Sequence, residues 1–247
     1  METSLKTRFW EIDALRGIAI ILMISFHILF DLNYFHYFYI NLSSGYLLIL
    51  VYFTVTIFLL LVGISLAISY AKAQKEFTKK KLRWKFLRRG FFIFSLGFII
   101  TLVTWIYIPR GFIVFGVLHC IGISIILAYP FIRYLIQPFL LGILFIVLGV
   151  VLNNFTFDFP WLLWLGFTPH NFYTVDYFPL LPWFGVVLIG ISLGNLFYAN
   201  DIRKFELNDK THLIIVKIIT FLGRNSLIIY LLHQVVLFGI FTLISFF

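Results

Sequence analysis

Runs of roughly 20 consecutive apolar residues recur along this chain, and nothing else constrains its fold as strongly. The stretch LLILVYFTVTIFLLLVGISLAIS, residues 47–69, is one of them. A helix rises 1.5 Å per residue, so about 20 residues cross the roughly 30 Å of a bilayer's hydrocarbon. Within that layer the backbone must satisfy its own hydrogen bonds, which leaves only helices and closed β-barrels. Barrel strands alternate apolar and polar side chains over about ten residues, and these runs do not alternate. The fold class expected is therefore all-α: a polytopic integral-membrane helix bundle. Composition agrees, with 62% hydrophobic residues, 12% charged residues and a mean hydropathy of +1.04 over 247 residues.

Seven principal spans are expected, at about 14–33, 46–70, 87–107, 112–130, 137–153, 179–198 and 225–246. The segment KTHLIIVKIITFLG, 210–223, is short for a span, and Lys210 and Lys217 suit a helix at the membrane surface. An eighth, tilted span is the alternative. No internal repeat or low-complexity linker interrupts the chain, so residues 1–247 read as one transmembrane domain. Lys6 and Arg8 precede the first apolar run as in a signal peptide. HILFDLNYF follows the run where a small-residue cleavage site would stand, so the run reads as a retained span. Cys120 is the single cysteine, which excludes an intrachain disulfide and a cysteine-rich metal site.

The net charge of +9 would suit a nucleic-acid partner, but its placement argues against one. Lys72, Lys75, Lys79, Lys80, Lys81, Arg83, Lys85, Arg88 and Arg89 cluster after the second span. With the N-terminus inside, this cluster falls inside too, together with Lys6, Arg8, Arg133, Arg203, Lys204, Lys210, Lys217 and Arg224. The outer connections then hold only Arg110. The positive-inside rule accordingly places the N-terminus in the cytoplasm of a cell-membrane protein. The plain role of the cluster is topology and attraction to anionic lipid headgroups; the alternative is that its last members bind an anionic ligand. In the long outer connection, FPWLLWLGF is too short to cross. It reads as a half-inserted helix or interfacial loop, and Trp161 and Trp164 suit interface anchors.

Ionisable residues inside the spans carry the functional signal, because their burial in hydrocarbon is costly. Asp13, Arg16, His27 and Asp31 are spaced to share one face of the first helix, with His27 roughly 16 Å beyond Arg16. Ile20, Met23 and Ile24 fill the turns between, so the face has two polar ends joined by an apolar stretch. His119 is expected roughly 12 Å deep in the fourth span and His233 roughly 13 Å deep in the last. Any one of these histidines could be a hydrogen-bonded packing residue. Three at a shared depth, with Asp31, Asn225, Ser226 and Gln234 close by in sequence, point to a polar cavity. No HxH or HExxH spacing exists, and a metal site is not expected. At the inner end, Arg16, Arg88, Arg89 and Arg224 can meet, and Asn225 and Ser226 open the last helix, whose N-terminus favours anions. Such a grouping would hold a phosphate; charge placed only for topology is the alternative.

Five stretches, in order, resemble one family: RFWEIDALRGIAIILMISFH, RRGFFIFSLGFIITLVTW, FIVFGVLHCIGIS, DYFPLLPWFGVVLIGISLGN and GRNSLIIYLLHQVVLF. They are similar to the heparan-α-glucosaminide N-acetyltransferase catalytic family in its short prokaryotic form. The Arg-Gly start with a histidine eleven residues on also resembles the wider membrane acyltransferases that modify sugars. The resemblance implies an acetyltransferase that takes acetyl-CoA from the cytoplasm as cosubstrate and passes the acetyl group to an amino sugar or other glycan acceptor outside. Arg16 would then hold the phosphate-rich end and His27 would meet the thioester, at a separation that suits an extended pantetheine arm. Eukaryotic members place an asparagine where this chain has His27, and their proposed catalytic histidine follows on the outer side, where His36 is the nearest counterpart.

On that reading His27 is the first candidate base or acetyl carrier, Asp31 orients it or stabilises its cation, and His36 is the second candidate. The cofactor-binding set is Arg16, Arg88, Arg89, His119, Arg224, Asn225, Ser226 and His233, with His119 and His233 lining the thioester pocket or donating to the developing oxyanion. Asp158, His170, Asn171, Asp176 and Trp183 are the acceptor-binding candidates. The rival reading is a non-enzymatic transporter or lipid-headgroup-handling protein, in which the same polar groups pass protons or a headgroup. Membrane lipids surround the protein on either reading, and outward Phe and Gly surfaces allow a homodimer.

Overall fold

The structure is a computed structural model that describes residues 8–39, 41 and 45–245. Lys6 and the last residue assigned to the seventh span, Phe246, lie outside the described residues. Eight α-helices are present among the described residues: α1 (Trp10–Tyr34), α2 (Gly45–Ala73), α3 (Lys79–Tyr107), α4 (Val117–Ala128), α5 (Ile136–Leu152), α6 (Leu180–Phe197), α7 (Ile214–Arg224) and α8 (Ser226–Ser245). No β-strand occurs among them. Five helices, α1, α2, α3, α6 and α8, are long and apolar enough to cross a membrane, while α4 and α5 are shorter apolar helices. The chain groups into two compact units, one of residues 1–58 and 207–247, the other of residues 59–206.

In the first unit α1 runs 25 residues, begun by Glu11 and Asp13 in its first turn, where carboxylates complement the helix dipole. It packs against α7 so closely that a Cβ on Gly17 would overlap the Ile219 carbonyl, and one on Gly223 would overlap the Asp13 carbonyl. Small residues of this kind let helix backbones approach, the main device for helix association in lipid. The 11 residues of α7 reach only about 16 Å, and α7 is not among the helices long and apolar enough to cross a membrane. Its buried residues are Thr220 and Gly223, and Ile214, Ile215, Ile218 and Phe221 are exposed. Asn225 alone separates α7 from α8.

The second unit is built on the same device. Gly142 of α5 and Gly185 of α6 sit against each other's backbone, and a Cβ on Gly63 of α2 would overlap the Val187 carbonyl of α6. The third span was expected from residue 87, yet α3 starts at Lys79 after an extended Thr78, so the Lys79 to Arg89 part of the basic cluster forms its first three turns. The fourth span differs more. Residues 112–116 are not helical, and the helix proper holds 12 residues, roughly 18 Å. Phe115 pairs with Tyr177 as an isolated bridge, Val175 N–H donates to the Gly111 carbonyl at 3.0 Å and Phe178 N–H to the Phe115 carbonyl at 3.0 Å. The long connection 153–179 thus folds back along the entry to α4. Its FPWLLWLGF stretch holds one 3-10 turn, Leu163–Leu165, and the Tyr177 hydroxyl donates to the Leu163 carbonyl at 2.7 Å. Residue 181 departs from helical geometry, so α6 is broken at its start, where Pro179, Pro182 and Gly185 lie.

Candidate functional site

Within the first unit, α1 and α8 bring four polar side chains together. The His27 and His233 rings meet edge to face, with centroids 4.6 Å apart and planes at 82°. His27 Nδ1 lies 2.8 Å from the Met23 carbonyl and His233 Nδ1 lies 2.7 Å from the Tyr230 carbonyl. A carbonyl only accepts, so in the neutral rings Nδ1 carries the proton and each Nε2 keeps a lone pair. One turn beyond His27, Asp31 is fully buried, and its Oδ1 accepts from Gln234 Nε2 at 2.8 Å. Three buried atoms of this cluster, Asp31 Oδ2, His233 Nε2 and Gln234 Oε1, have no hydrogen-bond partner. A buried polar atom left unsatisfied costs about 1–3 kcal/mol. Three of them gather in this one cluster, and each calls for an explanation.

His27 and His233 were expected at one depth, and they are in ring contact. Asp31 was expected to orient His27 or stabilise its cation; it accepts from Gln234, and His27 Nδ1 is held by the Met23 carbonyl. His36 follows the end of α1, is exposed and has φ +62°, with its ring 6.2 Å from that of Tyr39. It lies beyond the helix that carries the buried cluster.

Toward the start of α1 a second group forms. Asp13 is buried, its Oδ1 3.1 Å from Arg16 Nη1 and its Oδ2 3.3 Å from Arg224 Nε. The expected meeting of Arg16 and Arg224 therefore occurs, with a carboxylate between them. One carboxylate thus holds two guanidinium groups, and Arg224 stays half-exposed. Asn225 caps α7 and its side chain donates to the Phe221 carbonyl at 2.9 Å; Ser226 is the first residue of α8. Arg16 and His27 lie on the same helix, roughly 16 Å apart along its axis.

The second unit holds the remaining candidates. His119 is not eight residues into a helix: it stands in the first turn of α4, because the helix begins at Val117. The depth expected for it is corrected accordingly. Its Nδ1 accepts from Gly116 N–H at 3.2 Å, which places a neutral ring's proton on Nε2, a buried atom with no partner. Phe94, Phe98 and Phe115 surround the ring at centroid distances of 5.4–5.5 Å. Asp176, read as an acceptor ligand, instead receives Val117 N–H on Oδ2 at 3.3 Å and so caps α4. Burial pushes its carboxyl up to about 6, against the pull of that hydrogen bond. His170 Nε2 and Asp158 Oδ1 form an exposed pair 3.4 Å apart. Asn171, next to them in sequence, is exposed with φ +57°. Trp183 is buried in α6, its ring 5.3 Å from that of Phe178. Arg88 and Arg89 are exposed on α3. Among the described residues, no three His, Cys, Asp or Glu side chains gather in a way that would hold a metal ion.

Gln234 is the residue that sequence reasoning undervalued. The signal was a glutamine next to a histidine within an apolar helix; its bond to Asp31, 203 positions away, was not visible.

Compared with known families, residues 8–235 match the family model described as heparan-alpha-glucosaminide N-acetyltransferase, catalytic. No curated protein and no solved structure matches the chain.

Proposed function

Because the chain belongs to the heparan-alpha-glucosaminide N-acetyltransferase catalytic family, a group of transmembrane acetyltransferases, we propose that it moves an acetyl group from cytoplasmic acetyl-CoA to an amino sugar or other glycan acceptor on the outer side of the cell membrane. In this reading α1 to α6 and α8 make seven crossings, with the N-terminus in the cytoplasm, and α7 lies at the surface. The reading rests above all on the buried His27–His233 pair beside Asp31 and Gln234.

Arg16 and Arg224, both bound to Asp13, are the residues proposed to meet the donor's phosphates. Arg88 and Arg89, exposed on α3, are proposed separately as cations that attract the anionic donor. The α8 start at Asn225 and Ser226 completes the donor set within the first unit. His27 sits about one pantetheine length away on the same helix. Its Nε2 lone pair removes the proton from the acceptor amine as the nitrogen–carbonyl bond forms. The thioester carbon–sulfur bond breaks, and the imidazolium returns its proton to the leaving thiolate, so the ring ends neutral. The same lone pair suits transient acetylation. Asp31 stabilises the imidazolium, and Gln234 fixes Asp31. His233 contributes to the thioester pocket beside His27. Within the second unit, His119 is proposed as a donor-side residue through its Nε2–H, and Asp158, His170, Asn171 and Trp183 as acceptor-side residues. His36 is the second candidate base.

Transfer of radiolabel from acetyl-CoA to glucosamine in proteoliposomes checks this. His27→Ala should lower transfer by about 10²–10⁴-fold, the usual contribution of a general base, with the melting temperature retained. Wild-type transfer by folded His27→Ala would remove His27 from the mechanism, and loss in His36→Ala alone would move the role there.

A further inference from the structure

A cavity of about 530 Å³ opens in the second unit, where the end of α2, the start of α3 and the end of α4 come together. Lys79, Arg83 and Arg133 line it, brought in from two different elements. None of the three makes an ion pair among the described residues. Glu76, the carboxylate nearest to Lys79 in sequence, is exposed and does not reach them. Arg133 lies over the Tyr134 ring and donates to its hydroxyl, which leaves its charge uncompensated. Arg83 and Arg133 both act electrostatically on the Tyr129 hydroxyl, so the two cations share one neighbourhood. Beneath them the wall is apolar: Leu82, Leu87 and Ile126 line it, and the buried Phe86 ring packs on Tyr129.

Topology requires only that positive charge lie on one side of the membrane. It does not require three unpaired cations, brought in from two separate elements, at one cavity with an apolar floor. That arrangement matches an amphiphile whose anionic head meets basic residues while its chain enters hydrocarbon. We propose that this cavity binds the phosphate of an anionic phospholipid, with Lys79, Arg83 and Arg133 around the phosphate and the glycerol and first acyl carbons against Leu87 and Ile126. A soluble phosphate ester offers the same anion without the chain, and the apolar wall favours the lipid. This site is independent of the acetyl-transfer reading, since it uses none of the residues assigned there.

Native mass spectrometry of the detergent-purified full chain tests it, with phosphatidylglycerol, phosphatidylcholine and CoA as probes, on wild type and on Arg83→Gln/Arg133→Gln. The double variant should lose phosphatidylglycerol affinity by roughly 25-fold, a factor of about five for each basic residue at an anionic surface. Phosphatidylcholine should bind both proteins alike, and matching melting temperatures show that the variant is folded. Equal phosphatidylglycerol binding by the two proteins would overturn the proposal. A loss confined to CoA would also overturn it and assign the cavity to a soluble phosphate ester.

Discussion

A carboxylate at a helix N-terminus gains from the dipole and from backbone N–H groups, and loses from burial. At Asp176 burial wins, since the carboxyl is pushed up to about 6 despite the hydrogen bond from Val117. The folded chain therefore binds this proton more tightly than the unfolded chain, whose carboxyl keeps the ordinary value of 3.8. The stabilisation is complete below that value and is lost as pH rises through about 6. Asp176→Asn keeps an oxygen that can accept from Val117 but cannot ionise. Between pH 4 and pH 7, wild type should lose melting temperature relative to Asp176→Asn, with no further divergence above pH 7. Parallel curves across that range would show that the carboxyl does not titrate there. Such a role was hidden in the sequence, because an aspartate in an outer connection reads equally well as a ligand for an acceptor. His27 and Asp31 were legible for the opposite reason: ionisable groups stand out in hydrocarbon. Their partners were not, since the Asp31–Gln234 bond depends on which faces of α1 and α8 meet.

Helices were read well where hydropathy and length agree and badly where they do not. Residues 112–116 are as apolar as a span, but hydropathy does not distinguish an extended segment from a helix. The pairing of this segment with residues 175–178 arises from tertiary contact alone. The glycines carry more element-scale information than their hydropathy suggests. Gly17 of α1 and Gly223 of α7 bring two backbones together, and that contact sets Arg224 against Asp13. Gly17→Val should cost about 1–3 kcal/mol through overpacking and weaken donor binding by displacing Arg224. Gly239→Val is the control, since nothing lies within 4 Å of a Cβ at that position of α8. Thermal melts should fall for the first variant and not the second. An unchanged melt for Gly17→Val would mean that the α1–α7 contact contributes little.

At the scale of the whole chain, charge asymmetry carries the argument for orientation. Within the second unit one end gathers the basic residues. Lys72 pairs with Asp201 at 3.2 Å, Lys75 donates to the Asn200 carbonyl at 3.3 Å, and Arg133 shares a cavity with Lys79 and Arg83. The end of α6 thus joins the ends of α2 and α4 and the start of α3 there. The connections from the opposite ends, 108–116 and 153–179, contain a single basic residue, Arg110, together with Asp158 and Asp176. Lys and Arg near short connections are retained on the cytoplasmic side, so the basic end should face inward and the 153–179 connection outward. The only native cysteine, Cys120, is fully buried, so a cysteine introduced at an exposed position reports alone. In intact cells, a membrane-impermeant maleimide should label Thr156→Cys at once, and Glu76→Cys only after the membrane is opened. The reverse pattern would invert the protein, put Arg16 and Arg224 on the outer side away from cytoplasmic acetyl-CoA, and remove the direction of transfer proposed for it.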